Sequence, residues 1–219
     1  MTIRLGGVVI VEEVELTLHA GDLVLLTGPN GAGKSTLLRS LVGLLPASGD
    51  IEIAGRYPNS LEARSQFVFT PDEPALYEDL TLAEHARFNA LVYQRPEAEE
   101  RTIDWLTRFG LADKIEEFPG THSRGMRQKL ALSLALGLEQ PLTFLDEPFN
   151  GLDLDSQELL AAGLNRRAAD GGAVLLTGHQ RELGELLEAR VLELRDGHLG
   201  KPDKQRDKKR RPANAEATR

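Results

Sequence analysis

The eight residues Gly28-Pro29-Asn30-Gly31-Ala32-Gly33-Lys34-Ser35 constrain this chain more than any other feature. They follow a continuously apolar run, Leu23-Val24-Leu25-Leu26. After them Leu37, Leu38, Leu41, Leu44 and Leu45 recur at helical spacing until Pro46. An apolar run without alternation is a strand covered on both faces, so the spacing predicts a strand over 22–27, a glycine-rich turn, and a helix from Lys34 to about Leu44. Glycines let successive N–H groups turn inward around an anion, and the helix end adds its partial positive charge. The pattern G-x-x-x-x-G-K-[ST] in that context is a phosphate cradle. Lys34 reaches the β- and γ-phosphates, and the Ser35 hydroxyl is offered to magnesium. A glycine turn with a chance lysine would lack the two flanking elements.

Short β-prone runs at Thr2–Leu5, Val8–Val11 and Glu15–Leu18 precede the cradle; Gly49–Gly55 (GDIEIAG) and Phe67–Phe69 read as strands after it. From Leu80 the period turns helical, with helices expected over 82–93, 97–109 and 125–138. Strands at Leu142–Leu145, Ala173–Thr177 and Val191–Leu194 then alternate with helices at 155–169 and 180–188. Recurrent strand–helix units predict an α/β fold, a sheet sandwiched by helices, with a helical insertion over about 80–135.

A second constellation lies at Leu142-Thr143-Phe144-Leu145-Asp146-Glu147, where an apolar strand delivers two carboxylates at its end. Beside a phosphate cradle, Asp146 is placed to hold magnesium and Glu147 to polarise an attacking water; alone, the pair before Pro148 would read as a solvated turn. His179 follows the strand ending at Thr177, and strand ends on one side of such a sheet converge on the ligand crevice. There an imidazole can contact a γ-phosphate and orient the water; the bland alternative is a surface or helix-capping histidine. Ser123, at the start of a helix, reads by itself as an N-cap.

Composition closes several other routes. With no cysteine, disulfides, thiol nucleophiles and cysteine-bound metals are excluded, and the five histidines, at 19, 85, 122, 179 and 198, form no H-E-x-x-H pair. The net charge of −8 is uneven: residues 201–219 hold eight Lys/Arg and three Asp/Glu, leaving 18 basic and 31 acidic side chains in the first 200. A body that acidic predicts no specific nucleic-acid partner. The longest apolar run, Leu130–Leu138, is nine residues, short of the roughly 20 a spanning helix needs. Residues 1–7 lack a signal-peptide apolar block. The stretch 201–219, nearly without large apolar residues, is expected to be a disordered basic tail, either a solvated linker or a contact for anionic lipid.

These motifs, in this order, make residues 1–200 resemble the ATP-binding subunit of an ATP-binding-cassette (ABC) transporter. The resemblance rests on GPNGAGKST at 28–36, Pro71-Asp72-Glu73-Pro74-Ala75-Leu76-Tyr77, Ser123-Arg124-Gly125-Met126-Arg127-Gln128, LTFLDEP at 142–148, Asn150-Gly151-Leu152-Asp153 and His179. It implies a P-loop nucleotide hydrolase with an ABC-type core, an N-terminal antiparallel β subdomain and a helical insertion. It implies ATP and Mg2+ as cofactors. The phosphate site is then Gly28, Pro29, Asn30, Gly31, Ala32, Gly33, Lys34, Ser35 and Thr36, and the catalytic groups are Glu147, His179 and Lys34. Ser35, Asp146 and Asp72 fall at the metal. Ser123 and Gly125 would serve the γ-phosphate held by a second subunit, in a homodimer or a paired ATPase, packed head to tail. The implied partner is a multi-helix membrane permease, docked on the insertion and the Asp72 loop, with the chain cytoplasmic and peripheral on the inner face of the cell membrane.

Three departures from the family pattern stand out. His122, Arg124 and Met126 replace a leucine, a glycine and a glutamine, and the last two resemble variants common among exporters of the type-2 architecture. Asp72 replaces a glutamine. No aromatic residue precedes Tyr57, so the ring that stacks on adenine is missing, and Ile10, Val11 or Val14 is left to meet the base. The expected function is therefore ATP hydrolysis coupled to export. The alternatives are the ATPase of a haem-export or cytochrome-c maturation complex and a nucleotide-sensing scaffold with little turnover. ABC ATPases that act on DNA or on ribosomes would need a long coiled-coil insertion or a second cassette.

Overall fold

The computed structural model describes residues 1–179 and 183–202. Strands β1 (Ile3–Leu5) and β2 (Val8–Val11) pair antiparallel as a separate ribbon. Strand β3 (Leu23–Thr27) is buried along its whole length and feeds helix α1 (Lys34–Leu41) through the glycine loop. Leu23 and Leu25 pack on one face with Leu132, Leu160 and Leu164, while Val24 and Leu26 pack on the other with Leu37, Leu38, Ile3 and Val11. Burial on both faces is the reason this strand carries no polar alternation.

The chain continues through α2 (Leu61–Arg64), β4 (Phe67–Thr70), α3 (Leu82–Val92), α4 (Glu97–Arg108) and α5 (Arg124–Leu138). Then come β5 (Leu142–Leu145), α6 (Leu154–Ala169), β6 (Ala173–Thr177), α7 (Leu183–Leu186), β7 (Arg190–Arg195) and β8 (His198–Gly200). Six strands form one sheet in the order β4-β5-β6-β3-β7-β8, parallel except for the last pair. The carboxyl ends of β3, β5 and β6 therefore lie side by side, where open α/β sheets form their crevice.

Local signals fix the helical stretch. Thr81 Oγ1 accepts from the Glu84 N–H and the Glu84 carboxylate accepts from the Thr81 N–H, a reciprocal cap that starts α3. Leu82, Leu106, Leu111 and Leu130 give helices α3 to α5 a small apolar cluster of their own.

Several expected elements differ. Glu15–Leu18 forms no strand: Leu16 and Leu18 pack against the second core on one side, but the segment joins no ladder. Gly49–Gly55 is reduced to a tight turn closed by Ile53 and Arg56. These two segments instead flank a cleft of about 610 Å3 at the end of the sheet opposite the glycine loop. Helix α1 stops at Leu41 rather than Leu44. α2 and β8 carried too few residues to show a period. Of the helix expected over 180–188, residues 180–182 lie outside the described residues, as do residues 203–219 of the expected tail.

Candidate active site

At the end of β3 the Thr27 hydroxyl donates to the Leu192 carbonyl at 3.0 Å, which anchors the start of the loop. Gly28, at φ 151°, lies so close to β7 that a Cβ would run into the Leu194 carbonyl, and Gly33 enters α1 in the left-handed region at φ 98°. Lys34 opens α1 and is only 6% exposed. Its Nζ donates to the Gly28 carbonyl at 3.0 Å and lies 3.6 Å from Glu147 Oε1. A buried ammonium held by the Gly28 and Pro29 carbonyls and one carboxylate is well placed for phosphate oxygens, which form stronger charge-assisted bonds.

Asp146 is buried behind the loop. Its Oδ1 accepts from Ser35 Oγ at 2.9 Å and Thr177 Oγ1 at 2.8 Å, and Thr177 Oγ1 in turn accepts from the Glu147 N–H at 2.8 Å. Among the described residues Asp146 Oδ2 has no hydrogen-bond partner although it is buried. An orphaned carboxylate oxygen is costly in the interior. Beside the Ser35 hydroxyl it fits magnesium, which takes one or two hard oxygen ligands from protein and the rest from water and phosphate. Thr177 did not stand out in the sequence, because nothing local marks a strand-end threonine as the bridge between two carboxylate residues.

Glu147 follows β5 with φ 50°, a left-handed backbone that a non-glycine residue adopts at a cost, commonly at functional sites. The turn brings its Oε1 to 2.9 Å from His179 Nε2. Burial pushes the Glu147 pKa above the ordinary carboxylate value and the Asp146 charge adds to the rise, against the opposing pull of His179 and Lys34. A carboxylate with raised proton affinity that stays next to an imidazole is suited to general-base work.

Ile10, Asn30, Gly31, Ala32, Gly33, Lys34, Ser35, Thr36, Asp72, Glu147, Asn150 and His179 line one pocket of about 440 Å3. The fold thus gathers most of the expected phosphate, catalytic and metal residues. Ser123 and Gly125 do not line it. Ser123 caps α5 by accepting from the Met126 N–H, and Gly125 sits where a Cβ would lie 2.6 Å from the Gly151 carbonyl. Asp72 reaches the pocket, but its carboxylate is bonded to Arg124 and Asn150.

Residues 11–150 match the family model described as ABC transporter. This chain belongs to the ABC transporter family. Among its relatives, "SkfA peptide export ATP-binding protein SkfE" of Bacillus subtilis (strain 168) is 36% identical over 192 residues, covering 86% of this chain and 80% of that protein. "Sulfate/thiosulfate import ATP-binding protein CysA" of Mycobacterium tuberculosis (strain ATCC 25618 / H37Rv) is 33% identical over 220 residues, covering 98% of this chain and 62% of that one. A solved structure titled "Structure of ATP binding subunit of ABC transporter" superposes with a TM-score of 0.85 at 34% identity, over 94% of this chain and 90% of that chain. The chain is an ATP-binding subunit of this family, whose members are generally ATPases, act with a membrane permease and generally work as dimers. Its relatives include both export and import proteins. Among the described residues no helix is long and apolar enough to cross a membrane.

The departures from the family pattern have partners. His122, buried, places Nε2 3.0 Å from Glu117 Oε2, and the hydrogen bond from His122 lowers the Glu117 pKa. Met126 packs against the cluster of the helical insertion. Of the three aliphatic candidates for the base, Val11 and Val14 are buried in the core, and Ile10 alone lines the pocket.

Proposed function

We propose that the chain hydrolyses ATP in a head-to-tail dimer and drives export through a separate permease. The observation that carries this reading is the Lys34–Glu147–His179 cluster, set next to the orphaned Asp146 oxygen at the mouth of a phosphate loop. ATP would lie with its phosphates on the N–H groups of 28–36, with Lys34 exchanging its present partners for β/γ oxygens. Magnesium, bound by Ser35 and Asp146 with Asp72 within the same pocket, would neutralise phosphate charge. Glu147 would take the proton of the attacking water, held by His179, and the gain in basicity from burial favours that transfer. Ser123 and Gly125, at the free N-terminal end of α5, would meet the γ-phosphate in the opposite subunit.

Export is favoured by the SkfE likeness together with Arg124 and Met126 in the signature segment. The docking surface is assigned to the insertion 80–135 and the Asp72 loop. There Tyr77 and Phe88 stack edge to face at 5.2 Å and, with Leu91 and Val92, leave large apolar surface exposed. Residues 1–200 act as the ATP-binding domain, placed on the inner face of the cell membrane by that partner, with 201–219 as a tail.

Calorimetry on Lys34→Ala tests the site. Removing the buried Lys34 cation should weaken ATP binding by about tenfold or more. Unchanged affinity would contradict the assignment.

A further inference from the structure

Asp72 stands where three segments of the site meet. Its Oδ1 accepts from Asn150 Nδ2 at 3.1 Å and from Arg124 Nη2 at 3.3 Å, and its Oδ2 lies 3.4 Å from the same Arg124 nitrogen. Arg124 is the first residue of α5, whereas Asp72 and Asn150 belong to the pocket wall that also holds Ser35 and Glu147. One carboxylate thus ties the wall of the nucleotide pocket to the helix start that carries Ser123 and Gly125. A neutral amide at position 72 could not form this ion pair, so the tie depends on the combination of Asp72 with Arg124.

Both side chains of the pair are partly exposed, at 64% for Arg124 and 34% for Asp72. Such pairs are weak and easily exchanged for another partner. Both Asp72 oxygens are already engaged by Arg124. A divalent cation arriving with a nucleotide needs hard oxygen ligands, directly or through its water, and would draw on these same two atoms.

We infer that Arg124 is a positioning residue that competes with nucleotide-bound magnesium for the Asp72 carboxylate. This rests on the nucleotide-binding reading of the pocket and adds a condition to it: metal can recruit Asp72 only by loosening the tie to α5. The metal requirement of nucleotide binding is therefore set in part by a guanidinium that is not among the residues lining the pocket.

The test is a magnesium titration at fixed concentration of a fluorescent, non-hydrolysable ATP analogue, with full-length protein dilute enough to stay monomeric by light scattering. Arg124→Ala should lower the half-saturating magnesium concentration about two- to fivefold, the range expected for an exposed ion pair. Arg124→Lys keeps the charge without the fork and should stay within about twofold of the unaltered protein. In an Asp72→Asn background, Arg124→Ala should add nothing. Superimposable curves for the unaltered protein and Arg124→Ala would overturn the inference, and so would a shift that persists without the Asp72 carboxylate. Failure of the unaltered protein to bind the analogue at any magnesium concentration would instead overturn the nucleotide-binding reading, and this inference with it.

Discussion

At the residue scale the base side of the pocket is the most unusual part of the site. Ile10 lines it and packs over the glycine loop, its Cγ2 3.0 Å from where a Gly33 Cβ would stand. No Phe, Tyr or Trp is among the pocket's lining residues, so in the proposed nucleotide complex a purine would meet an aliphatic side chain rather than a ring. Stacking a base on an aromatic contributes roughly 1–3 kcal/mol in single-stranded nucleic-acid sites, and that scale sets what is given up here. Phosphate and metal contacts are left to dominate, and they do not distinguish adenine from guanine. Competition kinetics should therefore show GTP within about tenfold of ATP in kcat/KM, and Ile10→Tyr should tighten both purine nucleotides. A preference for ATP above about a hundredfold would mean that another residue reads the base.

At the element scale, α6 depends on one residue for its start. Asp153 accepts from the Ser156 N–H at 2.9 Å and from Lys129 Nζ at 2.7 Å. The bond from Lys129, followed by those from Ser156, holds its carboxyl well below the usual range. A depressed carboxyl stabilises the fold above its unfolded-state pKa, and that contribution is lost as pH falls through the folded-state value. Asp153→Ala should lower Tm by about 2–4 °C at neutral pH, with the gap to the unaltered protein narrowing on acidification below the ordinary carboxylate range. A gap that stays constant with pH would assign the effect to helix propensity alone.

The strand–loop–helix unit at 23–41 was legible because its chemistry and its burial are written in consecutive residues. The same holds for β5 with Asp146 and Glu147. Glu15–Leu18 has the alternation of a strand, but alternation reports only that one face is packed; whether a neighbouring edge is present to pair with it is a long-range matter. The short α2 rests on its Ser60 cap, which accepts from the Ala63 N–H, a local signal that four helical residues do not make periodic. Thr177 and the contact between Arg124 and Asp72 were not legible, because each depends on a residue brought near by the sheet or the insertion. Ile10 could be named only together with Val11 and Val14, since which of the three faces the pocket is set by the fold.

At the scale of the whole molecule, the sheet carries two separate cores, one per face, and the carboxyl ends of its strands hold the chemistry between them. In the proposed dimer the fixed pocket of one subunit is completed by Ser123 and Gly125 of the other, so turnover belongs to the pair rather than to one chain. Glu147 links these levels. Its backbone is held by Thr177, its carboxylate by Lys34 and His179, and its raised proton affinity comes from burial at the carboxyl end of β5. The most direct measurement is steady-state phosphate release with saturating MgATP by the unaltered protein and by Glu147→Gln. Glu147 as the general base requires turnover by the unaltered protein and a loss of about a hundredfold or more in the variant, the range for removing such a group. Equal rates would contradict it.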